Sequence, residues 1–147
     1  MADLVWLHED ALRRTHPVFS AAATGARAVF VWDNSYLDAA LIGLKRRMFI
    51  YETLAGLDMD ILAGTADKVI ATLVAESHIT RLFVPATPNP AFHALLSSVR
   101  TNCPDLEISV IEDTSFVALG EPPDLKRFFR YWNKAKKHAM RHGGVLA

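Results

Sequence analysis

The stretch over residues 27–57 constrains the fold of this chain more than any other. It opens with the apolar run Ala28-Val-Phe-Val-Trp32, which stops at Asp33, and a helix-length segment over residues 36–57 follows at once. A short buried strand that feeds a long helix is the repeating unit of a parallel α/β sheet. Apolar residues recur in the helical segment at intervals of three and four, which predicts one amphipathic helix. Its predicted apolar stripe consists of Leu37, Ala40, Leu41, Leu44, Met48, Tyr51, Leu54 and Leu57.

The rest of the chain continues this alternation of strands and helices. Further strands are predicted at residues 4–7, 59–63, 81–84 and 106–111, and helices at residues 11–23, after Thr65, at 91–100 and from Asp124 onward. Three prolines over residues 85–90 predict a loop there. The expected fold is a Rossmann-like, doubly wound sheet of five parallel strands with helices on both faces, plus a basic C-terminal helix.

Charge divides the chain into an acidic body and a basic end. Formal net charge is zero, yet residues 1–123 carry nine Lys/Arg against fifteen Asp/Glu, and residues 124–147 carry seven against one. We expect an α/β domain over residues 1–123 and an amphipathic helix over residues 124–147 that packs on it, with a homodimer contact as the alternative. A basic segment also favours phosphates, so DNA binding is a weaker expectation. The apolar stripe of this helix is Leu125, Phe128, Phe129, Trp132, Ala135 and Ala139.

Several classes of protein and site are not expected. No apolar run approaches the ~18 residues of a membrane span, and no signal peptide is apparent at the N-terminus. Cys103 is the single cysteine, which excludes an internal disulfide and is typical of a cytoplasmic protein. Neither a dinucleotide-binding glycine motif nor a phosphate loop is present. His138 and His142 share a helix face, but a solvated helix end is favoured over a metal site, and no catalytic residue is predicted.

Polar residues follow the predicted strands where a parallel sheet places its ligand crevice, at the carboxyl ends of the strands. His8, Glu9 and Asp10 follow the first strand, and Asp33 and Tyr36 follow the second. Thr87 and Asn89 follow the fourth strand. These side chains are expected to form the rim of a crevice.

The order of these segments resembles the N-terminal α/β domain of the DNA photolyase and cryptochrome family over residues 3–140. The opening Leu4-Val-Trp-Leu-His-Glu-Asp-Ala-Leu-Arg13 is similar to that family's apolar-Trp-Phe-Arg-x-Asp-Leu-Arg, although His8 replaces an Arg and the Asp-Leu-Arg triplet is one residue longer. Val29-Phe-Val-Trp-Asp33 is similar to the family's second strand. Arg46, Phe49, Glu52 and Leu54 match positions of its Arg-x-x-Phe-Leu-x-Glu-Ser-Leu helix.

The resemblance implies a site for a flavin, deazaflavin or folate antenna chromophore, or a domain that has lost its ligand. Asp33, Tyr36, Lys45, Arg46 and Phe49 would line it; the alternative is that the two aromatic residues belong to the core and the basic ones to a solvated helix face. Together with the rim, the predicted cofactor-binding set is His8, Asp10, Asp33, Tyr36, Lys45, Arg46, Phe49, Thr87 and Asn89.

The family's catalytic flavin and DNA lesion site lies in a separate helical domain. The segment Phe128-Phe-Arg-Tyr-Trp-Asn-Lys resembles the linker into that domain, so lesion repair is not expected of this chain alone. The expected function is a stand-alone binding module, or an accessory to a separate flavoprotein. A nucleotide-processing enzyme on a Rossmann-like sheet and a nucleic-acid accessory protein that uses the basic helix are the alternatives.

Overall fold

In the computed structural model of the chain, residues 2–114 are described. Five strands form one sheet in the order β3-β2-β1-β4-β5, and every pairing is parallel. β1 lies at the centre, and the direction of winding reverses between β1 and β4, which makes the sheet doubly wound. The predicted α/β fold class is confirmed. The strands are β1 (Ala2–Leu7), β2 (Arg27–Trp32), β3 (Asp60–Ala63), β4 (Ile79–Pro85) and β5 (Glu107–Ile111).

Helices cover both faces of the sheet. Successive side chains of a strand point to opposite faces: Trp6 packs on Phe92 of the helix after β4, whereas Val5 packs in a separate cluster with Val18. The three inner strands are therefore buried on both sides, which explains their uninterrupted apolar runs. The helices are α1 (Val18–Ala21), α2 (Asn34–Ala39), α3 (Leu44–Gly56), α4 (Ala66–Glu76) and α5 (Pro90–Asn102).

The single helix predicted over residues 36–57 is wrong, because the segment forms α2 and α3 with a break between them. Leu41 has a φ of 59°, and the N–H of Ile42 donates to the carbonyl of Leu37 at 2.9 Å, which closes the end of α2. The break resets the helical phase. Ile50 and Leu54 of α3 are buried, whereas the predicted stripe residues Leu44, Met48 and Tyr51 face solvent.

The helix predicted over residues 11–23 is also wrong in extent. Only the single turn of α1 forms, after Pro17, as the position of that proline suggested. The Arg14 guanidinium donates to the carbonyls of Leu57 and Asp58 at 2.9 and 2.7 Å, and the His16 ring accepts from the N–H of Val18 at 3.0 Å. These side-chain bonds hold the segment in a non-helical path.

The predicted C-terminal helix over residues 124–147 and its apolar stripe lie outside the described residues. Within residues 2–114, no helix has both the length and the apolar character that a membrane span requires.

Candidate functional site

A polar rim lies where the winding of the sheet reverses; Asp10 and Arg46 on it are exposed, and Thr87 is buried. Asp10 follows β1 and Thr87 follows the neighbouring strand β4, and the Thr87 hydroxyl donates to Asp10 Oδ2 at 2.7 Å. Arg46 of α3 reaches the same carboxylate and donates to Oδ1 at 3.2 Å. The side chains of Arg46 and Asp10 are 53% and 39% exposed. Asp10 thus joins two strand ends and a helix, and we call Asp10, Thr87 and Arg46 the rim triad.

A buried polar layer adjoins the rim triad. The Tyr36 hydroxyl donates to Glu9 Oε1 at 2.5 Å, and the Asn89 amide donates to the same oxygen at 3.3 Å. Both Glu9 and Tyr36 are buried. Burial raises the pKa of Tyr36 well above its ordinary value, and the hydrogen bond to the Glu9 carboxylate raises it further. Tyr36 therefore remains a neutral donor at physiological pH.

Glu9 has spare hydrogen-bonding capacity. Its Oε2 atom is buried and has no hydrogen-bond partner among the described residues. A small cavity of about 10 Å³, enough for one water, adjoins Glu9 and is also lined by Trp6, His8, Tyr36 and Phe92. Glu9 was not in the predicted cofactor-binding set, although its place between His8 and Asp10 put it on the predicted rim. Burial of its carboxylate is a tertiary property that the local sequence does not indicate.

Both carboxylate oxygens of Asp33 accept hydrogen bonds from backbone N–H groups. Oδ1 accepts from the N–H of Tyr36 at 3.1 Å and so caps α2, and Oδ2 accepts from the N–H of Ala66 at 2.8 Å at the start of α4. The residue is 4% exposed. Asp33 ties two helix starts to the end of β2 and presents no unpaired oxygen to the rim.

His8 and Asn89 also form hydrogen bonds to backbone groups near the carboxyl ends of the strands. His8 Nε2 donates to the carbonyl of Pro85 at 2.8 Å, while its Nδ1 accepts from the N–H of Asp10 at 3.2 Å. This pair of contacts requires a neutral ring with the proton on Nε2. Asn89 Oδ1 accepts from the N–H of Ala91 at 3.0 Å and caps α5.

The structure brings seven of the nine predicted site residues to this edge of the sheet. Lys45 and Phe49 are the other two; both are exposed on α3, and Phe49 is 65% exposed with no ring contact among the described residues. The seven residues are His8, Asp10, Asp33, Tyr36, Arg46, Thr87 and Asn89.

Two open grooves share residues with this network. One, of about 320 Å³, is lined by Ala86, Thr87, Pro88 and Glu112, next to the rim triad. A second groove of about 320 Å³ extends from Tyr36 along α4 and α5, and its walls carry two carboxylates and no lysine or arginine. The groove beside Thr87 is lined by one carboxylate, that of Glu112, and its Thr87 is linked through Asp10 to the Arg46 guanidinium. Because carboxylates repel phosphates, the groove with fewer carboxylates and a linked guanidinium is the better suited of the two to an anionic ligand. Over residues 2–114, no group of His, Cys, Asp or Glu side chains is placed to hold a metal ion.

These features define a doubly wound α/β domain with a polar rim at its switch point. The fold is similar to that of an archaeal photolyase from Sulfolobus tokodaii, which was solved with two FAD molecules and discussed for a novel light-harvesting cofactor. The TM-score is 0.51 at 18% sequence identity, and the match covers 95% of this chain but only 36% of the photolyase chain. The predicted resemblance to a photolyase α/β domain is confirmed at the level of the fold. No family model matches the chain, and no curated protein matches it.

Proposed function

We propose that this chain is a binding module for a small aromatic or nucleotide-like ligand of the flavin, deazaflavin or folate class. The observation that carries the proposal is the convergence of Asp10, Thr87 and Arg46, from three separate elements, at the point where the winding reverses. Ligands of open α/β sheets bind at that point. The fold shared with a photolyase that holds two FAD molecules supports the flavin class.

The rim triad supplies both donors and acceptors to such a ligand. The half-exposed Arg46 guanidinium is free to exchange its contact with Asp10 for a phosphate or a ring carbonyl. The Asp10 carboxylate then accepts an N–H or O–H from the ligand. The neighbouring groove of about 320 Å³ is within the range of small-molecule sites, and Pro88 offers an apolar surface to a ring.

The buried layer positions the rim instead of contacting the ligand. Glu9, Tyr36 and Asn89 bond to one another, and Asn89 also caps α5, so the loop that carries Thr87 is held in place.

A light-harvesting role would need a separate flavoprotein to receive the energy, and that partner is part of the proposal.

Fluorescence titration tests the proposal. Purified protein is titrated with FMN, FAD, a deazaflavin and a folate, and we expect saturable binding of at least one. Arg46→Ala should weaken that binding by roughly tenfold or more, the scale of one charge-assisted hydrogen bond. Arg27→Ala is the matched control, because Arg27 is also a half-exposed arginine paired with an aspartate, Asp60. This pair lies at the amino-terminal ends of β2 and β3, whereas the rim triad lies at the carboxyl ends of the strands.

Two outcomes would contradict the proposed function. One is the absence of saturable binding for all four compounds. The other is equal weakening by Arg46→Ala and Arg27→Ala, because a ligand that responds to both does not lie at the rim triad.

A further inference from the structure

Helix α3 has an apolar face that the described residues leave uncovered. Its inner face is buried through Ile50 and Leu54, each 1% exposed. On another face, Leu44 is 74%, Met48 56% and Tyr51 59% exposed, and the exposed Ala55 continues the same line. Large apolar side chains gathered on one helix face are typical of an interaction surface. We call Leu44, Met48, Tyr51 and Ala55 the outer stripe.

The spacing of the outer stripe is that of a helix–helix seam. Its residues follow one another at intervals of four, three and four, which are alternating d and a positions of a heptad repeat. Beside it, a groove of about 270 Å³ lies between the stripe and Trp32, whose ring meets that of Tyr51 edge-on at 6.3 Å. A protruding side chain from a second helix would enter such a groove as a knob enters a hole.

One edge of the outer stripe carries a positive and a negative charge, so two copies of that edge can pair with each other. Lys45 and Glu52 occupy the same edge one heptad apart, and neither forms an ion pair within residues 2–114. On the other edge, Arg47 is held by Asp38 at 2.5 Å and by the carbonyl of Ile42 at 2.8 Å. Only the Lys45 edge therefore has unpaired charges to offer to a partner.

An antiparallel pair of α3 helices brings equivalent edges together. In that arrangement Lys45 of each copy meets Glu52 of the other, so both charges are paired by the two-fold symmetry. A parallel pair would instead place the Lys45 edge opposite the edge that carries Arg47. Glu52 would then meet an arginine that Asp38 already holds, and Lys45 would have no acidic partner. The charge pattern thus favours a second copy of this chain, in antiparallel orientation, as the partner that packs on the outer stripe.

We propose that the outer stripe of α3 is the seam of a homodimer in which the two α3 helices pack antiparallel. This interface differs from the homodimer contact expected of the C-terminal helix, and it is independent of the ligand site at the rim. Dimerisation would bury Met48 and Tyr51 against their counterparts and fill the groove beside Trp32.

Light scattering over a range of protein concentrations tests the proposal. The unaltered chain should have the mass of a dimer, and Met48→Ser/Tyr51→Ser should be a monomer. Phe49→Ser is the matched control: it removes an equally exposed aromatic side chain from the same helix, outside the stripe, and should stay dimeric. Circular dichroism establishes that both variants are folded.

A charge swap tests the antiparallel orientation. Lys45→Glu should raise the dissociation constant of the dimer roughly tenfold, because two favourable pairs become repulsive. Lys45→Glu/Glu52→Lys should restore it. A monomeric unaltered chain would overturn the proposal, as would a dimer that survives Met48→Ser/Tyr51→Ser. If the unaltered chain is a monomer and Met48→Ser/Tyr51→Ser lowers its stability, the stripe is covered within the chain, and this result also overturns the proposal.

Discussion

Replacing Asp33 with alanine should destabilise the fold, because one carboxylate holds the starts of two helices. The substitution leaves the N–H groups of Tyr36 and Ala66 without their acceptor in a region where Asp33 itself is 4% exposed. Each orphaned buried donor costs about 1–3 kcal/mol, and loss of a helix cap costs about 0.5–2 kcal/mol. For two donors we expect a loss of about 3 kcal/mol, or about 10 °C in melting temperature for a domain of this size.

Urea unfolding followed by circular dichroism measures the effect. Asp33→Asn keeps one acceptor oxygen and should recover about half of the lost stability, on the order of 1–2 kcal/mol. Asp38→Ala is the control, because Asp38 makes an exposed ion pair with Arg47 and its loss should cost less than about 1 kcal/mol. If Asp33→Ala were no less stable than Asp38→Ala, the assignment of Asp33 as a double cap would be refuted.

Two further predictions concern buried ionisable groups. Tyr36→Phe removes a donor from the buried Glu9 carboxylate and should cost about 1–3 kcal/mol at neutral pH. Because folding raises the pKa of Tyr36, its contribution is complete below the unfolded value of about 10 and is lost at higher pH, so urea midpoints of the unaltered chain and Tyr36→Phe should converge above about pH 10. The bidentate hydrogen bond from Arg81 lowers the pKa of Asp3, with the N–H of Ala23 contributing and burial opposing. Asp3→Asn should therefore lower the urea midpoint at neutral pH, and the difference should shrink as the pH falls below about 4; a constant difference would contradict the assignment.

The strands could be predicted closely because the three inner ones contain short apolar runs that the fold buries, and the alternation of apolar and polar residues in β5 is itself a strand pattern. β2 was predicted over residues 28–32 and spans Arg27–Trp32, and β5 was predicted over residues 106–111 and spans Glu107–Ile111. Parallel order and helices on both faces follow from the alternation of elements and the handedness of their connections. Local sequence and topology rules therefore suffice for this part of the fold.

The helix after β2 shows where periodicity fails. A leucine at positive φ is rare, so no sequence signal at Leu41 indicated that α2 would end there. The apolar residues on either side of the break keep a common spacing, and the pattern reads as one stripe. The stripe contains Leu54, which is buried, and Leu44, Met48 and Tyr51, which are exposed. Two separate surfaces were thus combined into one.

Position along the chain predicted which polar residues meet at the edge of the sheet, but not what each of them does. Asp33 and Asp10 both follow central strands, yet Asp33 is fully bonded to helix starts whereas Asp10 is partly exposed on the rim. The difference depends on how α2 and α4 begin near β2, which is a tertiary arrangement. Lys45 and Phe49 were assigned to the site by resemblance, and the turn between α2 and α3 fixes the side of α3 on which they lie.

The most direct test of the ligand-binding account is an absorption spectrum. The protein is incubated with FMN, FAD, a deazaflavin or a folate, unbound compound is removed, and any compound released on denaturation is identified by mass. We predict an absorption band beyond that of tryptophan that is retained by Arg27→Ala and lost or strongly reduced in Arg46→Ala. A spectrum of tryptophan and tyrosine alone for the unaltered chain, with nothing released from it, would contradict the account.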